Sequence, residues 1–240
     1  MDGINSAGIG RFAKLDAEKI SKSLNSCGFA VVEKVLDNRE CAELIAGYHG
    51  NGYRKTVNME RHRFGSGEYR YFDNPLPDLI EAARTEIYPV LAPVANEWAS
   101  KLNIEMSYPA TFSEFRDRCR DAGQFKPTPL ILKYGPGGSN TLHQDLYGEV
   151  YFPMQSAIFL NEPGEDYTGG EFVLTEQVPR SQSKAIVLTP RKGDMIIFTT
   201  NFRPVKGSRG FYRANMRHGV STVHSGERHT LGVIFHDALT

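Results

Sequence analysis

The chain has 240 residues, the length of one decorated domain, and 40% of them are apolar, enough to bury a sizeable core. Its 28 basic and 28 acidic residues give a formal net charge of zero, which does not indicate a whole-chain electrostatic grip on nucleic acid or an anionic membrane. Three cysteines, Cys27, Cys41 and Cys119, without a C-x-x-C pair, argue against a disulfide framework or a structural zinc site and fit a reduced compartment, by default the cytoplasm.

Met1 to Phe12 holds neither an apolar run nor a cleavage-site pattern, and no apolar stretch approaches the ~20 residues that span a bilayer, so no signal peptide or membrane attachment is expected. Leu15 to Cys27 carries apolar residues at helical spacing and stops at Gly28; Phe29 to Leu36 is a short β-branched run, hence a strand. Asp37 is an N-cap for a helix through Tyr48, stopped by Gly50. Tyr53 to Phe72, rich in Arg, Tyr and Gly, reads as an irregular hairpin. Pro77 to Leu102 reads as a long helix interrupted near Pro89 and Pro93, and Ala110 to Ala122 as another helix.

After Gly123 the texture changes. Seven short β-type runs follow, separated by Gly, Pro and Asn: Pro129–Tyr134, Gln155–Asn161, Gly170–Thr175, Lys184–Thr189, Asp194–Thr199, Arg217–His224 and Arg228–Phe235. Such spacing signals a sandwich or barrel. The expected architecture is one domain over residues 1–240, with a mixed, largely helical support region at 1–123 and a β core at 124–240.

Charge is uneven along the chain. Arg180 to Arg217 holds nine basic residues (Arg180, Lys184, Arg191, Lys192, Arg203, Lys206, Arg209, Arg213, Arg217) against Asp194, and Asn51 to Phe72 holds five basic residues against two acids. These are either solvated faces or a positive rim for an anionic substrate.

His143-Gln144-Asp145 is an H-x-D. On an extended backbone residues i and i+2 point the same way, so imidazole and carboxylate converge, as in a 2-His-1-carboxylate triad that holds Fe(II) and leaves positions open. Alone the motif arises by chance on the order of once in a few chains of this size. His218 begins a later run and supplies a third ligand. Arg228 and Thr230 share a face of their strand, where a guanidinium fork beside a hydroxyl suits a carboxylate. Tyr134, nine residues before His143, can donate a phenol proton to the same carboxylate. Gly135, Gly137 and Gly138 make a turn, with no dinucleotide-binding fingerprint. Among the other histidines, His224 has the parity of His218 and reads as a satisfied core residue; His49 and His62 read as surface or structural, and His229 and His236 as structural.

The order Tyr134-Gly…His143-x-Asp145…Gly169-Gly170…His218…Arg228-x-Thr230 resembles the 2-oxoglutarate/Fe(II) dioxygenase superfamily over nearly half the chain. The resemblance implies a double-stranded β-helix (jelly roll), Fe(II) on His143, Asp145 and His218, and 2-oxoglutarate as co-substrate with its far carboxylate on Arg228, Thr230 and Tyr134. It implies consumption of O₂, hydroxylation of a substrate C–H bond, and release of succinate and CO₂, with no obligate protein partner. The strings Leu142–Glu149, Gly169–Glu176 and Gly226–Gly232 are similar to a bacterial group predicted to demethylate damaged nucleic acid bases oxidatively, as AlkB-type enzymes do. A nucleic acid or nucleotide substrate would then meet Arg209, Tyr212 and Arg213, in a basic loop at the barrel mouth before His218, together with Arg63 and Tyr69, which pair cations with aromatics. Prolyl-hydroxylase-type chains share the Tyr-to-His spacing, so a peptide, amino acid or small metabolite stays open. A zinc metallohydrolase on the same ligands and a catalytically dead binding module are the rivals from other classes.

Overall fold

The computed structural model describes residues 10–146 and 148–239. Tyr147, part of a string that carries the family likeness, and most of the Met1–Phe12 segment lie outside the described residues. In chain order the elements are α1 (Ala17–Cys27), β1 (Phe29–Val32), α2 (Asn38–Ala46), β2 (Tyr53–Asn58), β3 (Gly65–Ser66), β4 (Glu68–Phe72), α3 (Asp78–Lys101) and α4 (Phe112–Asp121). There follow β5 (Leu130–Tyr134), β6 (Ser139–His143), β7 (Met154–Phe159), β8 (Tyr167–Gly169), β9 (Phe172–Gln177), β10 (Lys184–Leu188), β11 (Met195–Thr199), β12 (Phe202–Gly207), β13 (Gly210–Val220), β14 (Val223–Gly226) and β15 (Arg228–Val233).

Two antiparallel sheets build the jelly roll. One has the order β1-β11-β7-β15-β5-β4-β2; the other has β10-β9-β13-β6-β3, with β12 paired to β13. Their inner faces meet in a cluster of Ala157, Phe159, Ile196 and Phe198 from the first sheet with Phe172, Leu174 and Met216 from the second. The helices cover the outer face of the first sheet. There Ile131, Ile158, Ile197 and Leu231 share one core with Phe12, Leu24, Ile87, Leu91, Trp98 and Phe115. The strands β7 and β11 are therefore buried on both faces, at every position from Met154 to Phe159 and from Met195 to Thr199.

The N-terminal region is more than a helical layer. The strands β1, β2 and β4 extend the first sheet and β3 caps the second, so the division near Gly123 is not a structural seam. The Phe29–Leu36 strand ends at Val32. The helix predicted to break near its prolines is instead continuous: Pro89 and Pro93 lie inside α3. Both are exposed, so the carbonyls that lose an amide partner face water while Ile87, Leu91, Val94 and Trp98 pack inward. Capping boxes start α2 (Asp37 with Glu40) and α4 (Thr111 with Glu114). Among the described residues no helix is long and apolar enough to cross a membrane, and the three cysteines are free thiols.

Candidate active site

Two strands of the second sheet place the imidazoles. His143 ends β6 and His218 lies near the end of β13, and the two are direct partners across the ladder, with ring centroids 4.2 Å apart. Asp145 follows two residues after β6 and turns its carboxylate between them. Its Oδ1 lies 3.5 Å from His143 Nε2 and its Oδ2 3.3 Å from His218 Nε2. One ligand atom from each of the three falls within 4.8 Å of the others, so the expected triad assembles as a metal-binding group. His143 Nδ1 donates to the Thr141 carbonyl at 2.7 Å, which fixes the tautomer and leaves Nε2 as a free lone pair.

The electrostatics favour a cation. Burial works against the Asp145 carboxylate, yet the His218 hydrogen bond and the two imidazoles outweigh it and hold the acid far below the usual carboxylate range. Burial, then the neighbouring His218, lowers the basicity of His143 against the pull of Asp145. A deprotonated carboxylate beside an imidazole of lowered basicity is what a divalent metal requires of its ligands.

Two glutamines support this group, and sequence reasoning singled out neither. Gln144, the middle residue of the H-x-D, donates to the carbonyls of Asn201 and Met216, each at 2.8 Å, pinning the ligand-bearing segment to β13 and its approach. Gln155, inside the barrel on β7, donates to Asp145 Oδ2 at 2.8 Å. No sequence pattern marks either, because an isolated Gln has no periodicity or spacing to report.

Deeper in the barrel, Arg228 is 1% exposed. It pairs with Tyr134 across β15 and β5, while Thr230 pairs with Leu132 and Phe159, so Arg228, Thr230 and Tyr134 face the same interior. Arg228 Nη1 donates to Thr230 Oγ1 at 2.9 Å, and its guanidinium lies 5.4 Å from the Tyr134 ring centroid. Its Nε and Nη2 make no well-formed hydrogen bond among the described residues, although the Tyr167 phenol lies close enough to feel the guanidinium. A buried guanidinium with idle donors is costly unless an anion meets it. Tyr134 is fully buried, which pushes its phenol up to about 12, and its oxygen accepts from Asn140 Nδ2 at 3.4 Å. The phenol thus keeps its proton to donate. Gly170, at φ +64°, makes room for this pocket: a Cβ there would sit 2.9 Å from Arg228 Cδ and 2.8 Å from Val223 Cγ2. Tyr167, also buried beside Arg228 and Gly170, is a wall residue the sequence did not reveal.

The substrate residues read from sequence fall into two groups. Tyr69, on β4, packs with Met59, Tyr134 and Val220 toward the interior, and its phenol, raised chiefly by burial, also feels Asp145. Arg63 sits in the exposed turn after a 3-10 segment; the next residue, Phe64, accepts hydrogen bonds at its carbonyl from the Thr141 amide and hydroxyl, two residues from His143. The basic segment before His218, by contrast, is no loop at the mouth. It is the β12–β13 hairpin. Arg209 is nine residues from His218, about 30 Å along a strand, and Tyr212 about 20 Å. Arg213 has the opposite parity to buried Ala214, Met216 and His218, and lies over the Phe202 ring at 4.8 Å.

His224 is also corrected. The chain leaves the ladder after Val220 and pairs anew through β14 with β8, which resets the parity and leaves His224 exposed. His49 and His62 are exposed, as read. His229 and His236 are buried structural residues: the His229 amide donates to Asn161 Oδ1 at 2.7 Å, and His236 Nδ1 accepts from the Phe152 amide at 3.3 Å.

Residues 67–238 match the family Oxygenase-NA, described as an oxygenase catalysing oxidative methylation of damaged DNA. Two uncharacterised proteins of Mycobacterium tuberculosis are each 47% identical over 167 residues, which make up 70% of this chain and 72% of theirs. In structure the chain is similar to a prolyl-4-hydroxylase of Pseudomonas putida, with a TM-score of 0.56, 13% identity, and coverage of 92% of this chain and 98% of that one. It is also similar to an oxidoreductase of the 2OG-Fe(II) oxygenase family from Burkholderia pseudomallei, with a TM-score of 0.52, 16% identity and 94% of each chain covered. At these identities the two structures speak for the fold.

Proposed function

The chain belongs to the Oxygenase-NA family and is a 2-oxoglutarate- and Fe(II)-dependent dioxygenase, and from that premise we propose that it oxidatively demethylates nucleic acid bases. The single observation that carries the substrate class is the family match across residues 67–238.

We assign the roles as follows. His143, Asp145 and His218 are the iron ligands; their two nitrogens and one carboxylate oxygen, within 4.8 Å of one another, fit the preference of Fe(II) and leave positions for co-substrate and oxygen. Arg228 is the anchor of the distal carboxylate of 2-oxoglutarate, helped by Thr230 and Tyr134; the idle Nε and Nη2 inside a buried pocket support that fit. Bound there, iron with 2-oxoglutarate and O₂ supplies the oxidising chemistry that hydroxylates a substrate C–H bond and releases succinate and CO₂. Phe172 and Phe198, with ring centroids 6.3 and 4.8 Å from the His218 ring, keep water from the inner side of the metal group. On an N-methyl group the product is a hemiaminal that loses formaldehyde.

For the substrate, we assign contacts to Tyr69, whose phenol feels Asp145, and to Arg63, next to the Phe64 carbonyl that bonds Thr141; a base must leave its stack to reach the metal. Arg209, Tyr212 and Arg213 on the hairpin are contacts only a polymer of several nucleotides would reach. A zinc hydrolase has no use for the Arg228 pocket, and the family sets that reading aside. We place the protein in the cytoplasm, a reading supported by its three free thiols, and treat residues 1–240 as one catalytic unit, supported by the core that joins Phe12 to Phe235. The test is release of formaldehyde and succinate from methylated single-stranded DNA, with methylated duplex, peptides and free metabolites alongside. Formaldehyde released in step with succinate on methylated DNA is expected; succinate stimulated only by a peptide or metabolite would move the assignment to a prolyl-hydroxylase-like enzyme.

A further inference from the structure

We propose that Gln155 is a positioning residue of the metal centre, holding Asp145 in ligand geometry and tying up one oxygen of Asp145 so that the carboxylate meets the metal through the other alone. This rests on the metal assignment proposed above. Gln155 is 6% exposed and sits on β7, a strand buried on both faces, where it pairs with Phe198 of β11. Its mount is therefore rigid. Asp145 is not on a strand; it lies in irregular chain after β6, so no ladder fixes its side chain.

The amide orientation follows from its partners. A carboxylate only accepts, so the group 2.8 Å from Asp145 Oδ2 must be the NH₂ end. The same nitrogen lies 3.2 Å from His218 Nε2, so the amide sits against the imidazole edge that would face a metal, and only its bond to Asp145 can persist once a metal takes that lone pair. One amide thus bonds the ligand whose side chain no ladder fixes. Gln155 Oε1 is left as a buried acceptor with no partner among the described residues. A leucine or methionine would fill this place without that cost, so the amide is not explained by packing. With Oδ2 engaged, Asp145 offers Oδ1. Chelation through both oxygens would use a position that the triad has to leave open for co-substrate or oxygen. Gln144 fixes the backbone of the same segment, so the two amides divide the task between main chain and side chain.

The experiment is Mn(II) titration of the full chain, followed by the paramagnetic signal of free Mn(II), with the thermal midpoint of the metal-free protein measured beside it. In Gln155→Leu the dissociation constant should rise about 10- to 100-fold, the range seen when partners of metal ligands are lost, while the thermal midpoint holds or rises. A merely structural glutamine predicts the reverse. A lowered midpoint with Mn(II) affinity within about threefold of wild type would overturn the proposal. Should Gln155→Leu not fold, Gln155→Met, unbranched and of like length, carries the same expectation and the same refutation. Wild type against Asp145→Ala tests the metal assignment separately: if wild type binds no Mn(II), or Asp145→Ala binds it equally, the triad itself is refuted.

Discussion

The two ends of β13 differ in everything but their strand. At one end His218 is clamped between β6 and β9, its ring against Phe198, with Asp145 and Gln155 converging on it. At the other, from Gly210 to Arg213, the strand pairs with β12 and shows its side chains largely to solvent. The first end owes its geometry to contacts from strands distant in sequence. The second carries charge without enclosure. Nearness to a ligand in sequence is therefore not nearness in space when the intervening residues are extended, and a polar site is defined by what converges on it.

The largest effects belong to the enclosed end. Asp145→Ala removes the acidic ligand, and Fe(II) binding, read by titration under anaerobic conditions, should be lost with the fold intact. Arg228→Ala should weaken 2-oxoglutarate by roughly 2–5 kcal/mol, thirtyfold or more, because a buried charge partner is lost. Iron affinity should change little. Arg228→Lys keeps the charge but not the fork and should fall between the two. Unaltered 2-oxoglutarate affinity in Arg228→Ala would sink the role given to that residue.

A smaller effect is expected at the glycine that admits the guanidinium. Gly170→Ala sets a Cβ against Arg228 and forces a left-handed φ on alanine, so a loss of about 1–3 kcal/mol in stability is expected, with a raised KM for 2-oxoglutarate. A variant as stable as wild type and with the same KM would show that the pocket is looser than described.

The buried histidines give a pH signature. Burial lowers His229 and His236 from 6.5 to about 4 each. Both are neutral in the fold, while the unfolded chain takes up protons below 6.5. Stability is therefore full above that value and falls as pH drops from about 6.5 toward 4, by roughly 2–3 kcal/mol per histidine. In His236→Gln, which keeps an acceptor for the Phe152 amide, denaturation midpoints over this window should fall less steeply. An unchanged acid slope would remove His236 from the account.

The smallest effect is expected at the open end. Arg209→Ala with Arg213→Ala should leave metal and 2-oxoglutarate binding unchanged. It should alter only binding to a long strand, where losing two phosphate contacts flattens the dependence of log affinity on log salt by about two. A change in 2-oxoglutarate affinity would contradict the distance between hairpin and metal.

Much of the architecture was legible. Six of the seven β runs after Gly123 appear as single strands, because β-branched stretches between turn residues suit extended chain, while Arg217–His224 splits into the end of β13 and the start of β14. The shared face of Arg228 and Thr230 was legible because parity on a strand is a local rule, and His143, Asp145 and His218 do lie together, although Asp145 is off the strand that the parity argument assumed. Other parts were not. Ser139–His143 is a polar strand with exposed positions, so its sequence shows no strand period, and its place is set by β13 and β3. Pro89 and Pro93 mark a break that tertiary packing overrides. The register change that exposes His224 depends on pairing with β8, which the parity rule cannot see. Gln155 becomes meaningful only once Asp145 is beside it.

The proposed site sets an iron held by His143, Asp145 and His218 beside a 2-oxoglutarate anchored on Arg228. An anaerobic crystal structure with Fe(II) and 2-oxoglutarate tests it most directly. One metal with all three side chains at roughly 2.0–2.2 Å, and the far carboxylate forked by the guanidinium of Arg228, is expected. A metal bound elsewhere, or a co-substrate whose carboxylate leaves Arg228 unpaired, would contradict it.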